Sequence, residues 1–387
     1  MDYNPVIHIN FGIMIQRIIE KEITGDLFKG KAIIITGPRQ VGKTTLLESI
    51  RKESKQKSIW LNCDEPDIRL QLENVTSTQL QSLLGDVQMV FIDEAQRVKN
   101  IGITLKLMVD NFRKVQIIAT GSSALELANE VSEPLTGRKR EYHLYPLSTA
   151  EMVNHTSSLD ESRSLEHRLI YGFYPEVINH PDEAGVTLLE LTNDYLYKDL
   201  LSLQEIRKPA LLEKLVTALA FQVGNEVVYN EVAQTVGADT KTVERYIDLL
   251  EKCFVVFQLS AFSRNLRNEI KKGRKVYFYD NGIRNAIIKN FNPIRLRQDK
   301  GALWENFMMS EMMKADHYRH RFVNKYFWRT HAQQEIDLIE ETEGVLHARE
   351  FKWDGKVKPK LPASFSQAYP GTDLVSISRD NYMQFLT

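Results

Sequence analysis

The stretch that decides the fold is residues 33–45, IIITGPRQVGKTT. Residues 31–36 (KAIIIT) are apolar and β-branched, the pattern of a strand buried inside a parallel sheet. The run stops at a glycine. Gly37, Pro38, Arg39, Gln40, Val41, Gly42, Lys43 and Thr44 then satisfy G-x-x-x-x-G-K-[ST] without a mismatch, with Thr45 behind them. Leu46, Leu47 and Ile50 follow at helical spacing. Strand, glycine loop and helix therefore come in the order that a phosphate-binding loop needs. The glycines let backbone N–H groups curl around phosphate oxygens, and the new helix aims its positive end at them. In this pattern Lys43 reaches the β- and γ-phosphates and Thr44 ligates Mg²⁺. ATP is the expected ligand and Mg²⁺ its cofactor, with residues 37–45 as the nucleotide cradle.

A second buried strand is expected at 87–92 (VQMVFI), ending in Asp93 and Glu94. An acid at the C-terminal tip of such a strand sits beside the phosphate loop. Asp93 is the expected Mg²⁺ ligand, directly or through water, and Glu94 the group that orients or deprotonates the attacking water. A third strand, 115–120 (VQIIAT), runs into Gly121, Ser122 and Ser123. Ser122, or else Ser123, is placed to sense the γ-phosphate; either one equally suits a cap on the next helix. Arg138 then stands as a candidate arginine finger and Arg140 as a weaker one, acting in cis or from a neighbouring copy of the chain. A homo-oligomer follows if the finger comes from a neighbour.

Residues 146–205 read as helical, with Ser148 as an N-cap and YGFYP (171–175) as an aromatic turn. Residues 230–247 match a helix-turn-helix: Ala233 allows close packing, Gly237 makes the turn, and Thr240 is the expected cap. The stretch LLEKCFVVFQLSAFS reads as a hairpin strand. It leads to the cations Arg264, Arg267, Lys271, Lys272, Arg274 and Lys275 and then VYFYDNG, the outline of a wing. If this module reads DNA, Lys241, Thr242 and Arg245 face the major groove. Glu244 and Asp248 on the same helix oppose that, and winged helices also dock proteins.

The last third carries acids at spaced positions. Glu305 lies on a helix, and Asp337 on the first strand of a hairpin whose second strand carries Glu350 and Lys352 two apart on one face. Glu305, Asp337 and Glu350 are candidate hard-oxygen ligands for a second Mg²⁺, with Lys352 activating water for phosphodiester attack. Glu335 is a weaker candidate on the same face. The plain alternative for Glu350 and Lys352 is a surface ion pair.

The bulk numbers set the frame. A chain of 387 residues suggests two to three domains. Fifty Lys and Arg against 51 Asp and Glu exclude an overall basic field, so any DNA contact must be local. The two cysteines, Cys63 and Cys253, have no metal spacing and fit a reducing cytoplasm. No run reaches the roughly 20 apolar residues of a membrane span, and MDYNPVIHINFG does not read as a signal peptide.

Taken together, GPRQVGKTT, VFIDEAQRV, IIATGSS and LTGRKREYHLYPLS resemble an AAA-type ATPase domain widespread in bacteria and archaea. YGFYPEV, the helix-turn-helix stretch, YFYDNGIRNAI, WENFMMSE, EIDLI and EFKW resemble the C-terminal domain of unknown function that accompanies it. The resemblance implies an α/β protein in four parts. They are a P-loop AAA-type ATPase domain (12–150), a helical lid or connector (151–208), a winged helix (209–285) and a restriction-endonuclease-like domain (295–387). Two departures stand out: Ile336 occupies the place where the commonest nuclease signature has proline, and the lid offers no second sensor arginine. The expected function is an ATPase or ATP-driven switch acting with DNA. The alternatives are an ATP-regulated metal-dependent endonuclease, or a signalling or scaffold protein with a degenerate nuclease domain.

Overall fold

The computed structural model describes residues 14–122, 135–193, 208–263, 273–330 and 332–387. Five strands, β1 (Ala32–Thr36), β2 (Ser58–Asn62), β3 (Met89–Asp93), β4 (Gln116–Gly121) and β5 (Lys139–His143), form an all-parallel sheet in the order β2-β3-β4-β1-β5. Alternation explains why β1 is apolar from Ala32 to Ile35. Ala32 and Ile34 pack on one face with Leu80, Leu105 and Met108, while Ile33 and Ile35 pack on the other with Leu46, Leu47 and Ile50. A strand covered on both faces reads as a near-continuous apolar run, and the buried polar side chains Thr36, Asp93 and Thr120 lie toward the strands' C-terminal ends. β3 and β4 begin one or two residues later than the sequence indicates, so Asp93 belongs to the end of its strand.

Four connector helices follow: Thr149–His155, Ser158–Tyr171, Pro175–Asn179 and Ala184–Thr192. Ser148 caps the first of them in a capping box with Glu151. In the middle region, Tyr229–Val236 and Thr240–Lys252 are helices around Gly237, whose φ of 75° ends the first. The cap on the second is Asp239, not Thr240: Asp239 Oδ1 accepts from Thr242 N at 2.9 Å. LLEK, expected in a strand, completes that helix, and the strand β7 starts only at Val256 (Val256–Ala261). β7 pairs antiparallel with β8 (Arg274–Phe278), which also receives the short β6 (Glu226–Val227). Arg264, Arg267, Lys271 and Lys272 lie outside the described residues.

The remaining strands are β9 (Asn324–Arg329), β10 (Glu335–Thr342), β11 (Val345–Phe351) and β12 (Asp373–Ile377). They do not form a sheet of their own. One seven-stranded sheet runs β12-β11-β10-β9-β7-β8-β6, joined by parallel pairing of Ser260 with Tyr326 and Ala261 with Phe327. The helix Lys300–Tyr318 packs on this sheet and buries Trp304, Phe307 and Met308. A single apolar core continues from one face of the first sheet through the connector helices to Trp304. No helix among the described residues is long and apolar enough to cross a membrane.

Candidate functional site

The phosphate-type loop is built by three backbone requirements. Gly37 lies so close to the chain after β5 that a Cβ would stand 2.1 Å from Leu144 O. Gln40 has φ 57°, and Gly42 has φ 92° and ψ 29°. The chain therefore curls before entering the helix Lys43–Glu53, whose first turn has no side-chain cap and keeps its N–H groups for an anion. Lys43 Nζ donates to the carbonyls of Gly37 at 3.0 Å and Pro38 at 2.7 Å, so its ammonium lies against the loop.

β3 delivers Asp93 to this loop. Asp93 Oδ2 accepts from Thr44 Oγ1 at 2.8 Å, and Oδ1 accepts from Thr120 Oγ1. Glu94 sits next to it with φ 54°, a left-handed conformation uncommon for glutamate, and accepts from Gln96 Nε2 at 2.5 Å. Thr44 and Asp93 are hard oxygen donors in contact, which suits Mg²⁺; phosphate and water oxygens complete such a shell, so few protein ligands are needed. Cys63 lies one strand over, where burial and then the Asp93 charge push its thiol up to about 12.

Residues 39–45 together with Asp93 and Glu94 line a cleft of about 1030 Å³. Arg17 and Arg97 line it as well, and so do Glu176, Asn179, Glu183 and Glu190 from the connector region. Ser122 follows β4 and is buried, but the side chain that touches Asp93 is Thr120 of β4. Ser123 lies outside the described residues. Arg138 does not reach the loop of its own chain. Its carbonyl pairs with Ala32 N at the start of β1, about 16 Å along the strand from Gly37, and its Nε donates to Asp110 at 2.7 Å. Arg140 pairs with Asp26. Parallel pairing of β1 and β5 forces this, because residues that precede β5 fall at the edge opposite the loop.

The acids of the last third also meet, in a different pattern from the one expected. Lys352 Nζ lies 2.6 Å from Glu350 Oε2 and 3.5 Å from Asp337 Oδ2, and Phe351 N donates to Asp337 at 2.8 Å. Glu305 turns away to Lys275 Nζ at 2.9 Å and Tyr277 OH at 2.6 Å, and Glu335 meets the same lysine at 2.5 Å. Lys275, read as a wing cation, is in fact 1% exposed and sits among carboxylates. Glu305, Asp337 and Glu350 therefore do not form a three-acid cage, since an ammonium already balances Glu305. Among the described residues no group of three or more His, Cys, Asp or Glu is close enough to hold a metal. Burial, then Asp337, pushes the Glu350 carboxyl up to about 7. Burial lowers the Lys275 ammonium, but Glu305 and Glu335 outweigh it and hold the group above its usual range.

On the helix-turn-helix, Lys241 and Arg245 are exposed, and the Arg245 guanidinium lies 5.4 Å from the centre of the Tyr246 ring. Thr242 donates its hydroxyl to the Asp239 cap at 2.7 Å, which leaves only its acceptor side for another partner. Sequence reasoning missed Arg17, Thr120, Lys275 and Tyr277. Lys275 carried a signal, a cation alternating with Val276 and Tyr277 in an apolar strand; Arg17 bonds backbone carbonyls and carried none.

Residues 29–153 match the AAA domain family. Residues 162–293 match a domain of unknown function (DUF8612), and 300–384 match another (DUF4143). An uncharacterized protein of Mycobacterium tuberculosis is 26% identical over 90% of this chain and 76% of its own length. An uncharacterized protein of Haemophilus influenzae is 24% identical over 66% and 68%. A solved Walker-type ATPase of Pyrococcus abyssi overlays with a TM-score of 0.49 at 16% identity, covering 71% of this chain and 96% of that one. By these matches residues 29–153 are similar to an AAA domain and residues 300–384 to a domain of unknown function.

Proposed function

We propose that this chain binds Mg·ATP in the cleft beside residues 37–45 and hydrolyses it. The observation that carries the reading is the contact of Thr44 with Asp93 at 2.8 Å, with Glu94 next in the chain and Lys43 folded onto the loop carbonyls. Loop amides and the helix N-terminus bind the phosphates, and Lys43 exchanges its carbonyl partners for β- and γ-oxygens. Thr44 and Asp93 would hold Mg²⁺, which supplies charge neutralisation on the phosphates. Glu94 orients the attacking water, and Thr120 fixes the Asp93 carboxylate. Lys43→Ala should lose ATP binding in a titration calorimeter and turnover in a phosphate-release assay. Glu94→Gln should keep binding and lose turnover, by on the order of 100-fold. Unchanged turnover in Lys43→Ala ends this reading.

DNA is the partner that Lys241 and Arg245 would suit, as phosphate contacts. ATPase activity measured with and without duplex at two salt concentrations checks it; the DNA effect should fade as salt rises. A second reading, a metal-dependent nuclease, is favoured by the convergence of Asp337, Glu350 and Lys352. DNA incubated with Mn²⁺ should be cut by the parent and not by Lys352→Ala; equal cutting, or none, removes it.

A further inference from the structure

Arg17 precedes the first helix (Ile19–Gly25) and belongs to no motif, yet it is 6% exposed and all three of its nitrogens have partners. Nη1 donates to Val41 O at 2.7 Å, Nη2 to Tyr145 O at 2.6 Å and Nε to Glu151 Oε1 at 2.9 Å. Val41 is in the phosphate loop, Tyr145 lies just past β5, and Glu151 is in the helix Thr149–His155. One planar guanidinium thus ties the loop to two other parts of the chain, and its rigid fork suits that task better than a flexible ammonium.

The bond to Val41 has a consequence inside the loop. In a trans peptide the C=O of one residue and the N–H of the next lie in one plane and point in opposite directions. Holding Val41 O toward Arg17 therefore aims Gly42 N–H the other way and fixes the direction in which it can donate. Gly42 takes up φ 92° here, and lacking a Cβ it leaves this plane room to turn. Without an anchor the amide would sample several directions.

Glu151 is itself anchored. Oε1 also accepts from Ile18 N at 3.0 Å, and Oε2 accepts from Ser148 N at 2.9 Å and Ser148 Oγ at 3.2 Å. The adjoining Thr149 N donates to Glu311 Oε2 at 2.6 Å. Lys314 Nζ bridges Glu311 Oε1 at 2.6 Å and Leu147 O at 3.0 Å. Glu311 and Lys314 stand on the helix that also carries Glu305. A continuous set of buried polar contacts therefore runs from the phosphate loop to the C-terminal region.

We propose that Arg17 is a positioning residue of the nucleotide site: it sets the Val41–Gly42 peptide plane for phosphate, with Glu151 holding its guanidinium in place. The inference rests on the ATP reading above and deepens it. Arg17→Lys keeps the positive charge at the cleft and loses the fork that holds Val41 O, so the loss should scale with phosphates. A plain structural staple would weaken all ligands alike.

The test uses the full chain with Mg²⁺, titrated with ATP and with adenosine, for the parent, Arg17→Lys and Glu151→Gln, each checked for an intact thermal melt. Arg17→Lys should weaken ATP on the order of tenfold and leave adenosine nearly unchanged. Glu151→Gln should act in the same direction by less. In the unmutated chain, ATP should slow amide exchange at residues 148–151 as well as in the loop. A folded Arg17→Lys that binds ATP as the parent does, or loses ATP and adenosine equally, overturns the proposal. If that variant does not fold, Glu151→Gln and the exchange measurement decide by the same criteria, and unchanged exchange at 148–151 counts against it. A parent that binds no ATP brings down the reading of the site itself, a distinct outcome seen before any variant is compared.

Discussion

At the scale of the residue, Gly172 shows how tightly single positions are held. Its φ is 70°, and a Cβ there would stand 2.0 Å from Asp280 Oδ1. Asp280 cannot move away, because it is buried and accepts from Phe173 N at 2.7 Å and Ile283 N at 3.2 Å. Gly172→Ala combines a left-handed non-glycine residue with overpacking and should destabilise by about 2–5 kcal/mol. Urea unfolding checks this; a loss under 1 kcal/mol, on the order of a surface substitution, contradicts it. The glycine in YGFYP was visible as a turn, but its partner 108 positions on could not be read. Lys43, Thr44 and Asp93 were legible because phosphate binding demands fixed types at fixed spacing. Arg17 and Thr120 were not, since each meets a partner across the fold that no local pattern encodes.

At the scale of the element, the end of the helix Lys300–Tyr318 meets β5 through rings. His317 lies 5.6 Å from His143 and 5.3 Å from Tyr145, centre to centre, and Tyr318 follows on the same helix. Burial, then the nearby His143 and His320, lowers the His317 imidazole to about 4. His143 is lowered by burial too, and His320 itself faces Glu22 at 2.9 Å. A histidine depressed from 6.5 to about 4 stays neutral when folded and takes up a proton on unfolding between those values. Its contribution is therefore full above pH 6.5 and is lost as pH falls toward 4. The parent should lose Tm over that window, and His317→Gln should lose less. Parallel curves for the two proteins would refute the assignment. The helix was readable from apolar spacing, but β5 (KREYH) was not, because its charged residues hide the strand; nor was their meeting, because aromatic and histidine side chains carry no sign of which distant element they touch.

At the scale of the whole molecule, the C-terminal region is completed by residues that precede it. β9 has β7 as its parallel neighbour, and Phe262 N donates to Phe327 O at 2.7 Å. Asn306 accepts from Phe278 N at 2.7 Å and donates to Phe278 O at 3.0 Å. Lys275 of β8 balances Glu305 and Glu335. Each module looked separable in the sequence because the helix-turn-helix and the acidic hairpin each show a complete local pattern. Strand pairing between them rests on backbone groups, which sequence patterns do not report. A fragment of residues 295–387 would expose β9 as an edge strand and leave Glu305 and Glu335 without their ammonium. Breaking a buried ion pair by removing one partner costs about 3–5 kcal/mol, against a total of about 5–15 kcal/mol for a whole domain. The fragment should therefore give no cooperative thermal transition by circular dichroism, while the full chain does. A sharp melt of residues 295–387 alone would show that the shared sheet is not what holds this region together.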